Sequence, residues 1–510
     1  MVAAVSATGQ LVLVGSSGSS GMAIASNGFN PNYPRLGAAR LQSSTGASSL
    51  QYGTAYTNWA AYRCLQAIGL DYDGGAASGP GFPGSNRGTY VQTLQSSNLA
   101  GGLVLQYQES SIIASAAQAW PGFQAYITAQ NWAQYVAGTS GTIAQNGSYP
   151  MPNESTYVTL DSAGHIEQEY RALYTYDNVV AGSGPYHSFA STLDAAPTID
   201  GIYWDDTWYS PIQDCDPQRT GITQTMHSVY QNNGTAIQNI AEQWRAGQKR
   251  KFVLLDSLMP GNFHYANFNG VNICAEFGGP TGISAALANP QQWSGSFWQL
   301  FDGFEIQLFF GWGFFEGSYN FATMMNCYQL GMAICRGPKL ILLDIGGGST
   351  ANNLQSDGRA PLTWSGQNVS TYTAAYVGMR YYTAFTLMGS GCLGCDGEIN
   401  NTNNNLLTFD EWGDNTAQYP SGFMGQPVDP VQTAAAYGNG IWERRFYSSA
   451  TNQYFRAVMN PRGNGAQTYS PGVTLYKMRG VQNSSYNNAA SFTTLSMADP
   501  DGGIFCESPQ

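Results

Sequence analysis

Hydrophobic and polar positions fall into three regimes along the chain. Residues 1–50 are rich in Gly, Ser and Ala, carry one β-like run at Leu11-Val12-Leu13-Val14, and show no helical period. They predict an extended or small β N-terminal arm, which we bound at residues 1–57. From Asn58 the pattern alternates. Strand-like runs fall at 66–73, 102–108, 156–161, 200–206, 252–256, 271–276, 339–344 and 391–396, most of them preceded by a helical pattern. The longest helical pattern spans Met226 to Arg245, with Val229, Ile237, Ile240 and Trp244 near 3.6-residue spacing. Apolar strands separated by helices are what a parallel sheet covered on both faces requires, and eight of them predict an α/β fold, a closed (β/α)8 TIM barrel over residues 58–398. After Asp396 the helical period stops. Short β-like runs at 440–446, 453–461 and 473–476, separated by turn residues, predict a small C-terminal antiparallel β domain over 399–510.

The strand-like runs repeatedly end in an acid: Asp71, Asp161, Asp205 with Asp206, Asp256, Glu276 and Asp344. In a parallel barrel the carboxyl ends of the strands meet around one mouth, so these acids are expected to converge there. An Asp after a strand also serves as a turn former or helix cap, and some of the acids are expected to do only that. Aromatic residues stand beside the same ends: Tyr72, Tyr107, Trp208, Tyr209 and Trp312. Flat apolar faces next to carboxylates suit sugar rings.

Glycoside cleavage needs one carboxyl that carries a proton for the leaving oxygen and one that is ionised, to attack or to activate water. The stretch Ile199-Asp200-Gly201-Ile202-Tyr203-Trp204-Asp205-Asp206 delivers two acids at one strand end, and Asp205 is read as the ionised member. Glu276, after Ile273-Cys274-Ala275 and before Phe277, sits in an apolar setting that favours the protonated form. Asp206 replaces Asp205 if its side chain faces the mouth, because strand neighbours face opposite sides. Asp71, Tyr72, Tyr107, Asp161, Trp208, Tyr209, Asp256, Trp312 and Asp344 form the expected substrate-binding set.

Composition narrows the classes. Charged residues are only 10% of the 510, aromatics reach 13%, and the net charge is −12. The 20 Lys and Arg form no basic run, which excludes a nucleic-acid footprint. No apolar stretch reaches the length of a membrane span. Such a charge-poor, Gly- and Asn-rich chain fits work outside the cytoplasm or in an assembly, at a cell surface or in a virion, with the N-terminal arm as an attachment element. The four His form no HxH or HExxH, there is no GxSxG, and Gly346-Gly347-Gly348 lacks a GxGxxG frame, so no metal or other cofactor is expected. Asp214 and Asp216 read as a solvated acidic loop or, alternatively, a calcium site. Eight Cys are read as buried thiols or a few disulfides, and the lone CxxC at 392–395 does not make a zinc site.

The strand at 200–206, the strand ending at Glu276 and the tail Asn439-Gly440-Ile441-Trp442-Glu443-Arg444-Arg445-Phe446 through Asn460-Pro461 together resemble the glycosyl-hydrolase-like barrels related to the endo-polygalactosaminidase type. That resemblance, over roughly residues 58–480, implies a (β/α)8 barrel with Asp205 as the strand-four carboxylate, Glu276 as its partner, and a small β domain opened by a G-x-W-x-R-x-F strand. The function expected is hydrolysis of an extracellular or cell-surface polysaccharide, with a glycan-binding or structural component of a virion or surface assembly as the rival reading.

Overall fold

The computed structural model describes residues 32–38, 65–68, 103–109, 112–113, 148–149, 170–172, 200–205, 231–232, 235–236, 252–253, 263–269, 277–293, 297–307, 309–310, 319–344, 373–395, 410–413, 419–480 and 484–510. Eight strands pair in parallel and close into a barrel: β1 (Leu36–Ala38), β2 (Leu65–Ile68), β3 (Leu103–Glu109), β4 (Gly201–Asp205), β5 (Phe263–Asn269), β6 (Gly303–Gln307), β7 (Leu340–Asp344) and β8 (Cys392–Cys395). Each strand pairs with its neighbour in chain order, and β1 closes on β8 through Leu36 opposite Leu393.

Helices occupy the described parts of the last three crossovers: α1 (Gly279–Ala288), α2 (Phe321–Ile334) and α3 (Thr373–Leu387). The side chain of Asn320 caps α2 by accepting from the Thr323 amide at 2.9 Å. Among the described residues no helix is long and apolar enough to cross a membrane.

Strand alternation sorts the barrel residues into two sets. Leu103, Leu105, Tyr203, Phe263, Tyr265, Leu340, Leu342 and Cys392 share one parity and form a single buried cluster, the barrel interior. The opposite parity packs on the surrounding helices. Trp204 meets Phe252 edge-on at 5.3 Å, and Phe304 and Ile341 lie so close to Gly331 of α2 that a Cβ there would sit 2.8 Å from the Phe304 ring. Gly201 is likewise dictated by packing: a Cβ on it would lie 2.0 Å from the Phe263 carbonyl oxygen. The neighbouring Asp200 carbonyl accepts from the Phe263 amide at 2.9 Å, which fixes where β5 starts against β4.

Three strands differ from the sequence expectation. Leu36–Ala38, placed in the N-terminal arm by its Gly/Ser/Ala-rich context, is barrel strand β1, so the arm bounded at residues 1–57 contains part of the barrel. Phe252 and Val253 are helical, not the start of a strand; a short apolar run has no period that separates the two. The fifth and sixth barrel strands are Phe263–Asn269 and Gly303–Gln307. Both interleave polar side chains with apolar ones, so neither shows the continuous apolar run sought. The runs at 156–161 and 271–276 lie outside the described residues.

The C-terminal domain is antiparallel, as expected. Its main sheet combines β9 (Gln426–Pro427), β10 (Trp442–Ser448), β11 (Gln453–Asn460), β13 (Leu475–Lys477), β14 (Ser491–Phe492) and β16 (Asp501–Cys506), and a two-stranded sheet pairs β12 (Gln467–Tyr469) with β15 (Leu495–Met497). Ile441, Val458, Tyr469, Leu475, Met497 and Phe505 form its own core. The sheet also packs on the barrel through α3. Gly502 approaches so closely that a Cβ would lie 2.6 Å from the Arg380 carbonyl oxygen.

Candidate functional site

Inside the barrel an aromatic layer is followed, toward the carboxyl ends of the strands, by a polar one. Tyr203 of β4 stands opposite Tyr107 of β3 and Tyr265 of β5. The rings of Tyr203 and Tyr265 stack with centroids 5.8 Å apart. One step further along, Asn267 of β5 stands opposite Glu305 of β6, and Asp205 of β4 stands opposite Glu109 of β3. Position 205 continues the parity of 201 and 203. Asp344, the last residue of β7, continues the inward parity of Leu340 and Leu342 and is fully buried.

Glu305 is the centre of this layer. It is fully buried, and the Tyr203 hydroxyl donates a short hydrogen bond to its Oε2. A carboxyl on the inward parity of a barrel strand is costly to bury, and one donor aimed at it lowers that cost while fixing its rotamer. The Tyr265 hydroxyl accepts from the Leu342 amide at 3.2 Å. Burial pushes the Tyr265 phenol well above its ordinary value, and the nearby Glu305 adds to that shift, so Tyr265 stays a neutral wall of the site. Asn267 is buried and donates from Nδ2 to Gln307 Oε1 at 3.2 Å. Among the described side chains, this part of the interior thus holds two carboxyls (Glu305, Asp344), two amides (Asn267, Gln307) and the phenols of Tyr203 and Tyr265, with no charged nitrogen on the described inward positions.

Outside the barrel wall a second buried polar group has a different character. The Asp302 carboxylate receives Arg336 through Nε at 2.7 Å and through Nη2 at 2.9 Å, and accepts the His264 amide at 2.8 Å. His264 accepts from Trp204 Nε1 at 3.1 Å through Nδ1, with the two rings nearly coplanar at 5°. This bidentate pair ties the loop entering β6 to the end of α2, and it is structural.

The expected site residues divide accordingly. Asp205 is placed at the end of β4 and Tyr107 on β3, one register step apart around the barrel. Asp344 ends β7, as the sequence implied. Asp71, Tyr72, Asp161, Asp206, Trp208, Tyr209, Asp256, Glu276 and Trp312 lie outside the described residues. Glu305 is not among the residues expected from sequence, because Gly303-Phe304-Glu305-Ile306-Gln307 runs almost directly into the aromatic stretch that contains Trp312. The signal was there: Phe304 and Ile306 alternate with Glu305 and Gln307, the period of a strand with one polar face.

The tail motif also acquires a physical account. Trp442 meets Phe321 of α2 edge-on at 5.3 Å, and Phe446 meets Tyr33 at 5.3 Å. Between them Arg444 is buried and donates from Nη1 to the carbonyls of Leu387 at 3.1 Å and, more tightly, of Gly389. These are carbonyls at the C-terminus of α3, where a cation is favoured. Gly-x-Trp-x-Arg-x-Phe therefore packs β10 against α2, Tyr33 and the end of α3. Cys392, at the start of β8, is disulfide-bonded, whereas Cys327, Cys335 and Cys506 are buried thiols.

No family model matches the chain, and no curated protein matches it. The solved structures that match include glycoside hydrolases. An alpha-amylase from Geobacillus thermoleovorans in complex with acarbose is 7% identical, with 90% of this chain and 91% of that one covered at a TM-score of 0.42. A maltogenic alpha-amylase from Thermotoga neapolitana is 9% identical over 93% and 99%, TM-score 0.43. A family 39 glycoside hydrolase from Bacteroides cellulosilyticus is 11% identical over 94% and 81%, TM-score 0.42. These are likenesses of shape, and no residue role is carried over from them.

Proposed function

We propose that the chain is a glycoside hydrolase acting on a polysaccharide, with the polar layer at the carboxyl end of a (β/α)8 barrel as its site. The observation that carries this reading is the buried Glu305 on the inward parity of β6, held by the Tyr203 hydroxyl, two strands from the Asp205 that ends β4. Two carboxyls carried by different strands of one barrel are the minimum for acid–base cleavage of a glycosidic bond. In this reading Asp205 is the ionised carboxylate. Glu305 supplies the proton to the leaving oxygen, a role the sequence alone assigned to Glu276. Asn267, Gln307 and Asp344 offer hydrogen bonds to sugar hydroxyls, and Tyr203 and Tyr265 line the floor.

An extracellular, cell-surface or virion setting is part of the same proposal; the disulfide at Cys392 and the low charge favour it. Assignment to the endo-polygalactosaminidase type is a narrower proposal, and its tail motif is accounted for by domain packing alone. The test is reducing-sugar release from a panel of capsular, exopolysaccharide and storage glycans. Release by wild type that is lost in both Asp205→Asn and Glu305→Gln supports the reading. Glycan retention with no release by wild type would favour a binding or structural barrel.

A further inference from the structure

The joint between barrel and C-terminal domain holds a second cluster of buried ionisable groups that no catalytic reading uses. Asp410, Glu411 and Trp412 form one 3-10 turn, all three buried, between α3 and the loop that carries Tyr486 and Asn487. Trp412 donates from Nε1 to Thr383 Oγ1 of α3 at 2.9 Å. Asn487 Nδ2 donates to Glu411 Oε1 at 2.9 Å and to Asp410 Oδ2 at 3.2 Å. From α3, Arg380 reaches into the cluster but is already engaged: Nη2 donates to Asp501 Oδ1 at 2.8 Å, Nε donates to the Gly502 carbonyl at 3.0 Å, and the guanidinium lies 3.6 Å over the Tyr486 ring. Lys477 stands on the other side, 4.4 Å from the Tyr486 ring centroid. Asp501 by hydrogen bond and Glu411 by charge thus act on one buried arginine, with Asp410 adjacent to Glu411. The Glu411 Oε2 is buried and receives no hydrogen bond.

We propose that Glu411 is a proton-operated latch, with the C-terminal domain held firmly against α3 when the Glu411 carboxyl is protonated and loosened when it ionises. An ionised Glu411 leaves a buried charged oxygen with no donor beside the carboxyl of the adjacent Asp410, whereas the neutral acid removes the charge from that site. Burial pushes the Glu411 carboxyl up to about 7; the charge of Arg380 opposes the shift, Asp410 adds to it, and the Asn487 hydrogen bond opposes it. In the undocked or unfolded chain the same carboxyl is in water, with the ordinary value of roughly 4.3. Between those two values the docked form binds a proton that the undocked form does not. Docking is therefore strongest below that window, weakens as pH rises through it, and levels off above about 7. This device is independent of what the barrel acts on.

The test compares the full-length wild type with Glu411→Gln, which mimics the protonated side chain in shape and neutrality. Thermal unfolding is followed at pH 5 and pH 8, together with hydrogen exchange of residues 379–388 and 501–506 corrected for its intrinsic pH dependence. The variant should melt only slightly above wild type at pH 5, near the bottom of the window, while at pH 8 the gap should widen to a few degrees and the variant should exchange at least tenfold more slowly in those two segments. Every other titrating group is common to both, so the difference isolates Glu411. A variant that is destabilised at both pH values, fails to fold, or shows the wild-type pH profile would overturn the latch; the first two outcomes would mean that Glu411 works as a charged partner of Arg380.

Discussion

Buried carboxyls occur inside the barrel and outside it, and the partners of Asp501 and Asp302 differ in kind from that of Glu305. At the joint, Asp501 faces the Arg380 guanidinium, and Arg444 is spent on helix-end carbonyls; Asp302 beneath the barrel wall receives Arg336 through two nitrogens. In the barrel interior, Glu305 accepts from the Tyr203 phenol, and Asn267 stands opposite it on β5. A carboxylate paired with a guanidinium is committed to its ionised form. One held by a phenol can carry a proton or release it, as a group that moves protons must.

That contrast can be broken by substitution. The largest effect is expected from a residue that belongs to neither set: Gly201→Ala places a Cβ 2.0 Å from the Phe263 carbonyl oxygen and should prevent β4 and β5 from pairing, so that no soluble folded protein is recovered. Next, Arg380→Ala leaves Asp501 buried without its partner and should cost about 3–5 kcal/mol, read by denaturant unfolding. Arg444→Ala removes the donor to Leu387 and Gly389 and should cost about 2–3 kcal/mol, with protease cleavage appearing first between the barrel and β10. Smallest is Glu305→Gln. The amide keeps the shape and still accepts from Tyr203, so stability should change by less than about 1 kcal/mol. A loss as large as that of Arg380→Ala would make Glu305 a structural acid and erase the contrast.

Much of the barrel was legible because its outer strand positions are apolar enough to mark themselves. Leu340 to Asp344 and Gly201 to Asp205 read directly as strands ending in acids. Where the interior turns polar, that signal fails: Asn267 interrupts β5, and Glu305 and Gln307 interrupt β6, so the strands nearest the site do not show the apolar run. Leu36–Ala38 was hidden for a different reason. Three residues with one large side chain carry no periodicity, and the strand is defined by pairing with Leu65–Gln66 and Leu393–Cys395. The tail motif was legible as a pattern but not in its role, since only the fold shows Arg444 meeting the end of α3.

The central claim is that the phenol-held acid of β6 acts together with the acid that ends β4. It is tested most directly by measuring reducing-sugar release from the best glycan of the panel with wild type, Asp205→Asn and Glu305→Gln, each first shown to be folded. The account predicts release by wild type and a fall of about 10²–10⁴-fold in each variant, with glycan binding retained. Near-normal release by Glu305→Gln would contradict it.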